Sequence, residues 1–251
     1  MTDACAALVE RGDPDRFAAT MAAPPAARAR LWPLYAYNLE IARAPWLASE
    51  PLIAEMRLCW WADQVRAMPA RVPAHEVAAP LAALVRDGRL STDLLATMAE
   101  ARLRELDPAP FAPDGLAAWI DATAGSLMWS AAAALGAPGD AEPVVRGFAR
   151  GAGLAAFLMA QPAYAARGRN PLAGLDPAAL ARDGLAAIAR ARTRRHVVPA
   201  AAIPALWTGW QARAVLERAA RDPAAVGRGT LAPSEFRRRG GLLLRTITGF
   251  W

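Results

Sequence analysis

Residues 31–63, LWPLYAYNLEIARAPWLASEPLIAEMRLCWWAD, are predicted to form two helices joined by a bend. The apolar face of the first helix, at helical spacing, consists of Leu31, Leu34, Tyr35, Leu39 and Ala42. Pro45 is predicted to end this helix, because proline lacks an N–H and its ring clashes with the preceding turn.

The second helix of this segment is predicted to begin at an N-cap, Ser49, with Pro51 in its first turn. The residues predicted to point from this helix towards a core are Leu52, Met56, Cys59 and Trp60. A helix pair of this kind, early in the chain, predicts a fold built by packing helices on helices.

Composition extends this prediction to the whole chain. The 251 residues are 55% hydrophobic, largely through alanine, and runs of Val, Ile and Thr are almost absent. Alanine has the highest helix propensity, whereas β-branched residues favour strands. With no long linker and no fixed-period repeat, the sequence predicts an all-α protein with one domain over residues 1–251.

The chain contains no lysine, so its 29 basic residues are all arginine, and the formal net charge is +6. A coding preference for Ala, Arg, Gly and Pro would give the same composition without any functional reason. A diffuse positive charge nevertheless favours contact with anionic lipid or an acidic partner. Nucleic acid is not expected as a partner, because no binding motif accompanies the charge.

Several segments bear on localisation. The N-terminal residues carry early acids and no apolar segment typical of a secretory signal. The uncharged run Ala122–Gly139 is interpreted as a buried core helix rather than a membrane span. The last helix, SEFRRRGGLLLRTITGFW, has the composition of an interfacial helix, but we expect it to be the last core helix. The cytoplasm is the expected location, with peripheral contact with the inner membrane left open.

Two further segments complete a recognisable pattern. DPDRFAATMAAPPAARARLWPLYAYN precedes the quoted residues, and VVRGFARGAGLAAFLMAQPAYAARGRNPL lies in the middle of the chain. Together with LYAYNLEIAR and EPLIAEMRLCWWAD they resemble the squalene/phytoene synthase family. They are most similar to the branch that contains a mitochondrial complex I assembly factor and its bacterial relatives. This resemblance implies an isoprenoid-synthase-like helical bundle around a central cavity.

The resemblance also shows which residues are missing. Family enzymes carry two aspartate clusters that hold Mg²⁺ against a diphosphate leaving group. The first cluster aligns with Ala42, Arg43 and Trp46, and the second, counted back from Gly168-Arg169, aligns with Ala160 and Tyr164. None of these side chains coordinates Mg²⁺. The resemblance therefore implies a non-catalytic protein that binds no metal and needs no cofactor, with Mg²⁺ required only if other ligands replace the lost ones.

Candidate residues for a cavity or ligand site are Tyr35, Asn38, Glu40, Arg43, Trp60, Asp63, Glu100, Tyr164 and Arg169. Arg43 and Arg169 are candidates for binding a phosphate directly, although ordinary ion pairing would also explain them. Glu100 either lines the cavity or pairs with Arg104 one turn away. No G-x-S-x-G, C-x-x-C, H-E-x-x-H or P-loop motif is present.

Three functions follow as hypotheses. The first is an assembly or interaction factor, with a respiratory complex I subunit or assembly factor as its partner. The second is an active prenyl transferase with rearranged ligands. The third is a carrier that holds an isoprenoid or another lipid in the cavity.

Overall fold

The computed structural model describes residues 3–47 and 50–251 of the chain, and in these residues all regular structure is helical. The predicted all-α fold is confirmed. The helices of the first half are α1 (Asp3–Gly12), α2 (Pro14–Met21), α3 (Pro25–Leu47), α4 (Pro51–Ala67), α5 (Ala78–Arg86), α6 (Thr92–Ala101), α7 (Pro113–Ile120) and α8 (Ser126–Ala134). Those of the second half are α9 (Glu142–Met159), α10 (Gln161–Ala165), α11 (Pro177–Thr193), α12 (Ile203–Leu206), α13 (Ala212–Arg221), α14 (Ala224–Gly227) and α15 (Glu235–Thr248).

The centre of the bundle is α9, which packs along α11 and α13 on one side and along α8 on another. One cluster of buried apolar side chains extends from Cys5 in α1 to Trp251 at the last position. Glycines allow the close helix contacts. A Cβ on Gly151 of α9 would lie 2.7 Å from the carbonyl oxygen of Gly184 in α11, so only glycine fits at this crossing.

Pro45 does not end the helix that contains it, so this prediction is wrong. Helix α3 runs without interruption through Pro33 and Pro45. An interior proline costs a helix about 3 kcal/mol, but α3 buries twelve of its residues. Because full burial of one large apolar side chain contributes about 1.5–3 kcal/mol, packing outweighs the loss. The continuous helix carries residues 38, 42 and 46 along one face.

The face predicted for α4 is also wrong. Leu52, Met56 and Trp60 are 62%, 64% and 41% exposed, and Cys59 is exposed too. The residues that pack inward are Ala54, Leu58, Trp61, Ala62 and Val65. This segment carries apolar residues on every side, so periodicity alone does not identify the buried one. The predicted N-cap, Ser49, lies outside the described residues.

The middle of the chain is more irregular than predicted. A π-helical turn, Asp121–Gly125, joins α7 to α8, and the residues of α8 that follow are mostly buried, as expected for a core helix. Helix α9 ends at Met159, and Ala160 separates it from the short α10, which contains Pro162. Tyr164 follows this break and is 3% exposed.

The last helix, α15, is not the core helix that the sequence was expected to form. None of its residues is buried. After α15 the chain turns through Gly249, and Trp251 then packs in the core against Phe148 with ring centroids 4.9 Å apart. Across residues 3–47 and 50–251, no helix has both the length and the apolar character needed to cross a membrane.

Candidate ligand cavity

A cavity of about 330 Å³ lies where α3, the π-helical turn and the α9–α10 junction meet. Helix α3 contributes Asn38, Ala42 and Trp46, which are spaced by four residues and therefore share one face. From the opposite wall come Ala160 and Tyr164. Ala42, Trp46, Ala160 and Tyr164, four of the five positions that the resemblance assigns to the missing aspartate clusters, thus line one common cavity.

A second space of about 110 Å³ adjoins the first, since Arg16, Ala124, Leu127, Gly153 and Ala156 line both. Tyr35 and Met128 line only the smaller space. The walls are mainly apolar and aromatic, with a few polar groups, as in small-molecule sites, whose volumes begin at about 300 Å³. The two spaces together have the character of a binding site for a mainly apolar molecule.

Glu105 is the carboxylate that lines this cavity, and it is only 3% exposed. Its Oε1 accepts a hydrogen bond from Arg102 Nη1 at 2.7 Å. Its Oε2 accepts from Trp46 Nε1 and from the Tyr164 hydroxyl, both at 3.3 Å. Every oxygen of the carboxylate thus already has a donor within the protein.

The side chains around Glu105 are held in place by one another. The rings of Trp46 and Tyr164 are in contact, with centroids 4.7 Å apart. Burial, and then the charge of Glu105, raises the pKa of Tyr164, so its hydroxyl stays protonated and able to donate. Arg169 donates from Nη1 to the carbonyl of Glu105 and from Nη2 to that of Asp107 at 2.6 Å. These contacts fix Glu105 as a structural anion.

Four buried polar groups of residues that line the two spaces have no hydrogen-bond partner among the described residues. They are Arg16 Nε, Arg102 Nε, Trp119 Nε1 and the Tyr35 hydroxyl. Tyr35 is only 2% exposed, and burial raises its pKa, so the hydroxyl keeps its proton. All four groups can donate a hydrogen bond. These donors are enclosed by protein atoms beside the cavity and add to the polar part of its wall.

The residues present do not fit a magnesium–diphosphate centre. Mg²⁺ is held in proteins by carboxylate oxygens and water in octahedral geometry, and the cavity has one carboxylate, already bound to Arg102. Within the part of the chain that the structure describes, no three His, Cys, Asp or Glu side chains converge as a metal site. The cation nearest to Glu105 is an arginine, which repels Mg²⁺.

Of the candidate residues from the sequence, the structure brings Tyr35, Asn38 and Tyr164 to the cavity and places Arg169 behind Glu105. The others lie elsewhere. Glu40 pairs with Arg57 on the surface, and Glu100 pairs with Arg66 rather than with Arg104.

Three more candidates also lie away from the cavity. Trp60 packs on Trp61 and His75, and Asp63 is exposed. The Arg43 guanidinium lies against Gly12 of α1, so of the first aligned cluster only Ala42 and Trp46 reach the cavity.

The sequence did not reveal four residues of the site: Glu105, Arg102, Arg16 and Trp119. Glu105 was missed because a glutamate in a segment rich in charged residues is expected on the solvent side. It follows the buried Met98 by seven residues, and so lies close to the same side of the helix, before the 3₁₀ segment Arg102–Leu106 ends. Arg16 could have been found through Asp13, three residues earlier, which caps α2 and pairs with Arg16 at 3.2 Å.

Comparison with known proteins assigns the chain to a family. Residues 9–174 match the family model described as squalene/phytoene synthase, so the chain belongs to that family. No curated protein sequence gives a significant match.

Two solved structures are similar in fold. One is a dehydrosqualene synthase in complex with ligand, with a TM-score of 0.79 and 13% identity over 99% of this chain and 95% of that one. The other is the squalene synthase HpnC from Alicyclobacillus acidocaldarius, with a TM-score of 0.76 and 14% identity over 89% of this chain and 94% of that one. At these identities the likeness concerns the fold alone.

Proposed function

We propose that this protein is a non-catalytic member of the squalene/phytoene synthase family that acts as an assembly or interaction factor. One observation carries the proposal. The positions aligned with both aspartate clusters, Ala42 and Trp46 on α3 and Ala160 and Tyr164 opposite, line a single cavity whose one carboxylate is bound by Arg102. The chain keeps the shape of the family's site and lacks the groups that would drive ionisation of a diphosphate.

Without metal-binding carboxylates, the cavity cannot stabilise the charges that form when a diphosphate leaves. Departure of an allylic diphosphate leaves a carbocation and a highly charged anion, and metal ions bridging to carboxylates stabilise that developing charge. Arg16 and Arg102 supply positive charge, but Arg102 is neutralised by Glu105 and Arg16 by Asp13. Neither arginine replaces a pair of metal ions.

Turnover can be measured directly. Purified protein is incubated with farnesyl or geranylgeranyl diphosphate and Mg²⁺, and released pyrophosphate is quantified against a heat-denatured sample. We expect no release above that background. Pyrophosphate release that requires the folded protein, and that falls in an Arg102→Ala variant, would instead support a transferase with rearranged ligands.

The partner that we propose is a subunit or assembly factor of respiratory complex I, on the basis of the family branch that the sequence resembles. Deleting the gene in its host and measuring assembled NADH:quinone oxidoreductase by native electrophoresis tests this assignment. A loss of assembled complex, restored by the wild-type gene, is the expected result. Normal amounts of complex in the deletion strain would contradict it.

The mainly apolar and aromatic lining of the cavity supports a second candidate, a carrier for an apolar molecule. Gently purified protein would then contain such a molecule, detectable by solvent extraction and mass spectrometry. Ala156 is exposed on the wall of both cavity spaces, so Ala156→Trp should fill them and remove the ligand. Wild-type protein that extracts no more ligand than this variant would argue against the carrier.

A further inference from the structure

Helix α15 presents its apolar side to the exterior. Its exposed apolar stripe, defined as Phe236, Leu243, Leu244 and Ile247, is 87%, 61%, 62% and 74% exposed. These positions stand at i, i+7, i+8 and i+11 and so share one side of the helix.

The opposite side of α15 faces the body of the protein. Trp210 Nε1 donates to the carbonyl of Arg238 at 3.2 Å, Arg238 pairs with Asp15 of α2, and Leu242 packs on the core. A helix on a soluble surface normally buries its apolar side, whereas α15 leaves its apolar stripe exposed.

Arginines border the stripe on both sides. Arg237 and Arg239 are exposed; Arg239 pairs with Glu235 at 2.8 Å, and its side chain is 83% exposed. Long arginine side chains can lay their methylene groups along an apolar surface while the guanidinium reaches outward. An apolar stripe between cationic edges is the pattern of a helix that lies in the interface of a bilayer.

A groove of about 580 Å³ lies between α13 and α15, at the edge of the stripe, and is lined by further arginines. Arg237 belongs to both features. Four of the arginines lining the groove form no ion pair among the described residues: Arg218, Arg221, Arg237 and Arg245.

The acids of the groove are already engaged, since Glu217 pairs with Arg213 and Asp222 with Arg228. Burial, together with the charge of Arg213, lowers the pKa of Arg245. Since both acids pair with arginines outside the groove, the four arginines without an ion pair leave the groove with a net positive charge.

We propose that α15 is a membrane-docking element, with the exposed apolar stripe inserted among acyl chains and the flanking arginines on the headgroups of anionic phospholipids. The proposal does not depend on whether the cavity is catalytic. Two features favour a lipid surface over a second copy of the chain. Four side chains of one helix fall well short of the roughly 800 Å² per partner that a stable dimer buries. A two-fold contact would also bring like-charged arginines together.

Vesicle co-sedimentation tests this docking with the full chain. We expect binding to vesicles of phosphatidylcholine with phosphatidylglycerol and at least tenfold weaker binding to phosphatidylcholine alone, since each basic residue near an anionic surface adds several-fold in affinity. Raising the salt concentration to about 1 M should weaken the binding, because charge is then screened within about 3 Å.

The double variant Leu243→Ser/Ile247→Ser should lose at least tenfold in affinity for the anionic vesicles. Its matched control is Leu52→Ser/Met56→Ser, which removes two similarly exposed apolar side chains from α4. Equal binding of both double variants would overturn the proposal. So would gel filtration showing that the wild type is a dimer which the α15 variant dissociates, because the stripe would then be a contact between copies.

An environment-sensitive fluorophore locates the contact independently of affinity. The label is placed on Leu243→Cys in a Cys59→Ser background and, as the control, on Cys59 of the wild type, which is exposed on α4. Cys5 is buried and does not compete for the reagent. A blue-shifted emission with anionic vesicles only at position 243 is the expected result, and a shift only at Cys59 would show that the wrong face was assigned.

Discussion

Glu105 is a buried carboxylate in the wall of the cavity. Its carboxylate is held by Arg102, Trp46 and Tyr164, and its carbonyl accepts from Arg169. Trp46 and Tyr164 both donate to this carboxylate, so the wall of the cavity directs two hydrogen-bond donors towards a single buried acid.

Replacing Glu105 by alanine should destabilise the protein by about 3 kcal/mol, because Arg102 would then be a largely buried charge without a partner. Glu105→Gln should cost less, since the amide oxygen can still accept from Arg102. Urea unfolding followed by circular dichroism measures both.

The matched control for Glu105→Ala is Glu100→Ala, which breaks an exposed pair with Arg66. It should change the free energy of unfolding by less than about 1 kcal/mol. Equal effects of the two alanine variants would mean that Glu105 is not the anchor of this wall.

At the scale of single elements, local signals predicted where helices begin better than which side they bury. Asp13 and Ser91 cap α2 and α6, and such caps can be recognised locally, because a side-chain acceptor before a helical segment bonds a free backbone N–H. The prediction of the buried side of α4 was wrong, because apolar residues occur on every side of that helix.

For α15, the sequence indicated an interfacial composition but not whether the apolar side faces the core or the solvent. That orientation depends on the contact of Arg238 with Asp15, 223 residues earlier in the chain. The cavity itself followed from the resemblance. Glu105 did not, because a charged residue among other charged residues is expected to face solvent, and its buried partners Trp46 and Tyr164 are each 59 residues away in the chain.

The crossing of α9 and α11 depends on Gly151, and its substitution gives a prediction for this element. A Cβ here would lie 2.5 Å from Ile188 Cγ1 and 2.7 Å from the backbone oxygen of Gly184. Overpacking of this kind costs about 1–3 kcal/mol, which outweighs the gain of about 1 kcal/mol in helix propensity. We expect Gly151→Ala to lower the melting temperature by several degrees.

Gly147 offers a control on the same helix. A Cβ there would have its nearest neighbour at 3.8 Å, an ordinary contact with Ala191. Gly147→Ala should therefore leave the melting temperature unchanged or raise it by roughly 2–4 °C, the shift that about 1 kcal/mol gives in a protein of this size. If both alanine variants melt at the same temperature, the helices do not cross as closely as the structure indicates.

At the scale of the whole molecule, the chain beyond the family match belongs to the same core. The family model ends at residue 174, yet α11 and α13, which follow it, pack along α9. Gly184 of α11 approaches Leu154 of α9 and Leu216 of α13, so the three helices form one layer. Residues 175–251 therefore complete the hydrophobic core instead of adding a second one.

This shared core predicts cooperative unfolding of the full chain as one domain. Scanning calorimetry should show a single transition with equal calorimetric and van't Hoff enthalpies. The enthalpy near 60 °C should be on the order of 180 kcal/mol, from about 0.7 kcal/mol per residue over 251 residues. A fragment of residues 1–174 should fail to fold, because the side of α9 that faces α11 and α13 would be open to water. Two separate transitions, or a folded fragment with the helicity of the same residues in the full chain, would show that the family-matched part is a domain of its own.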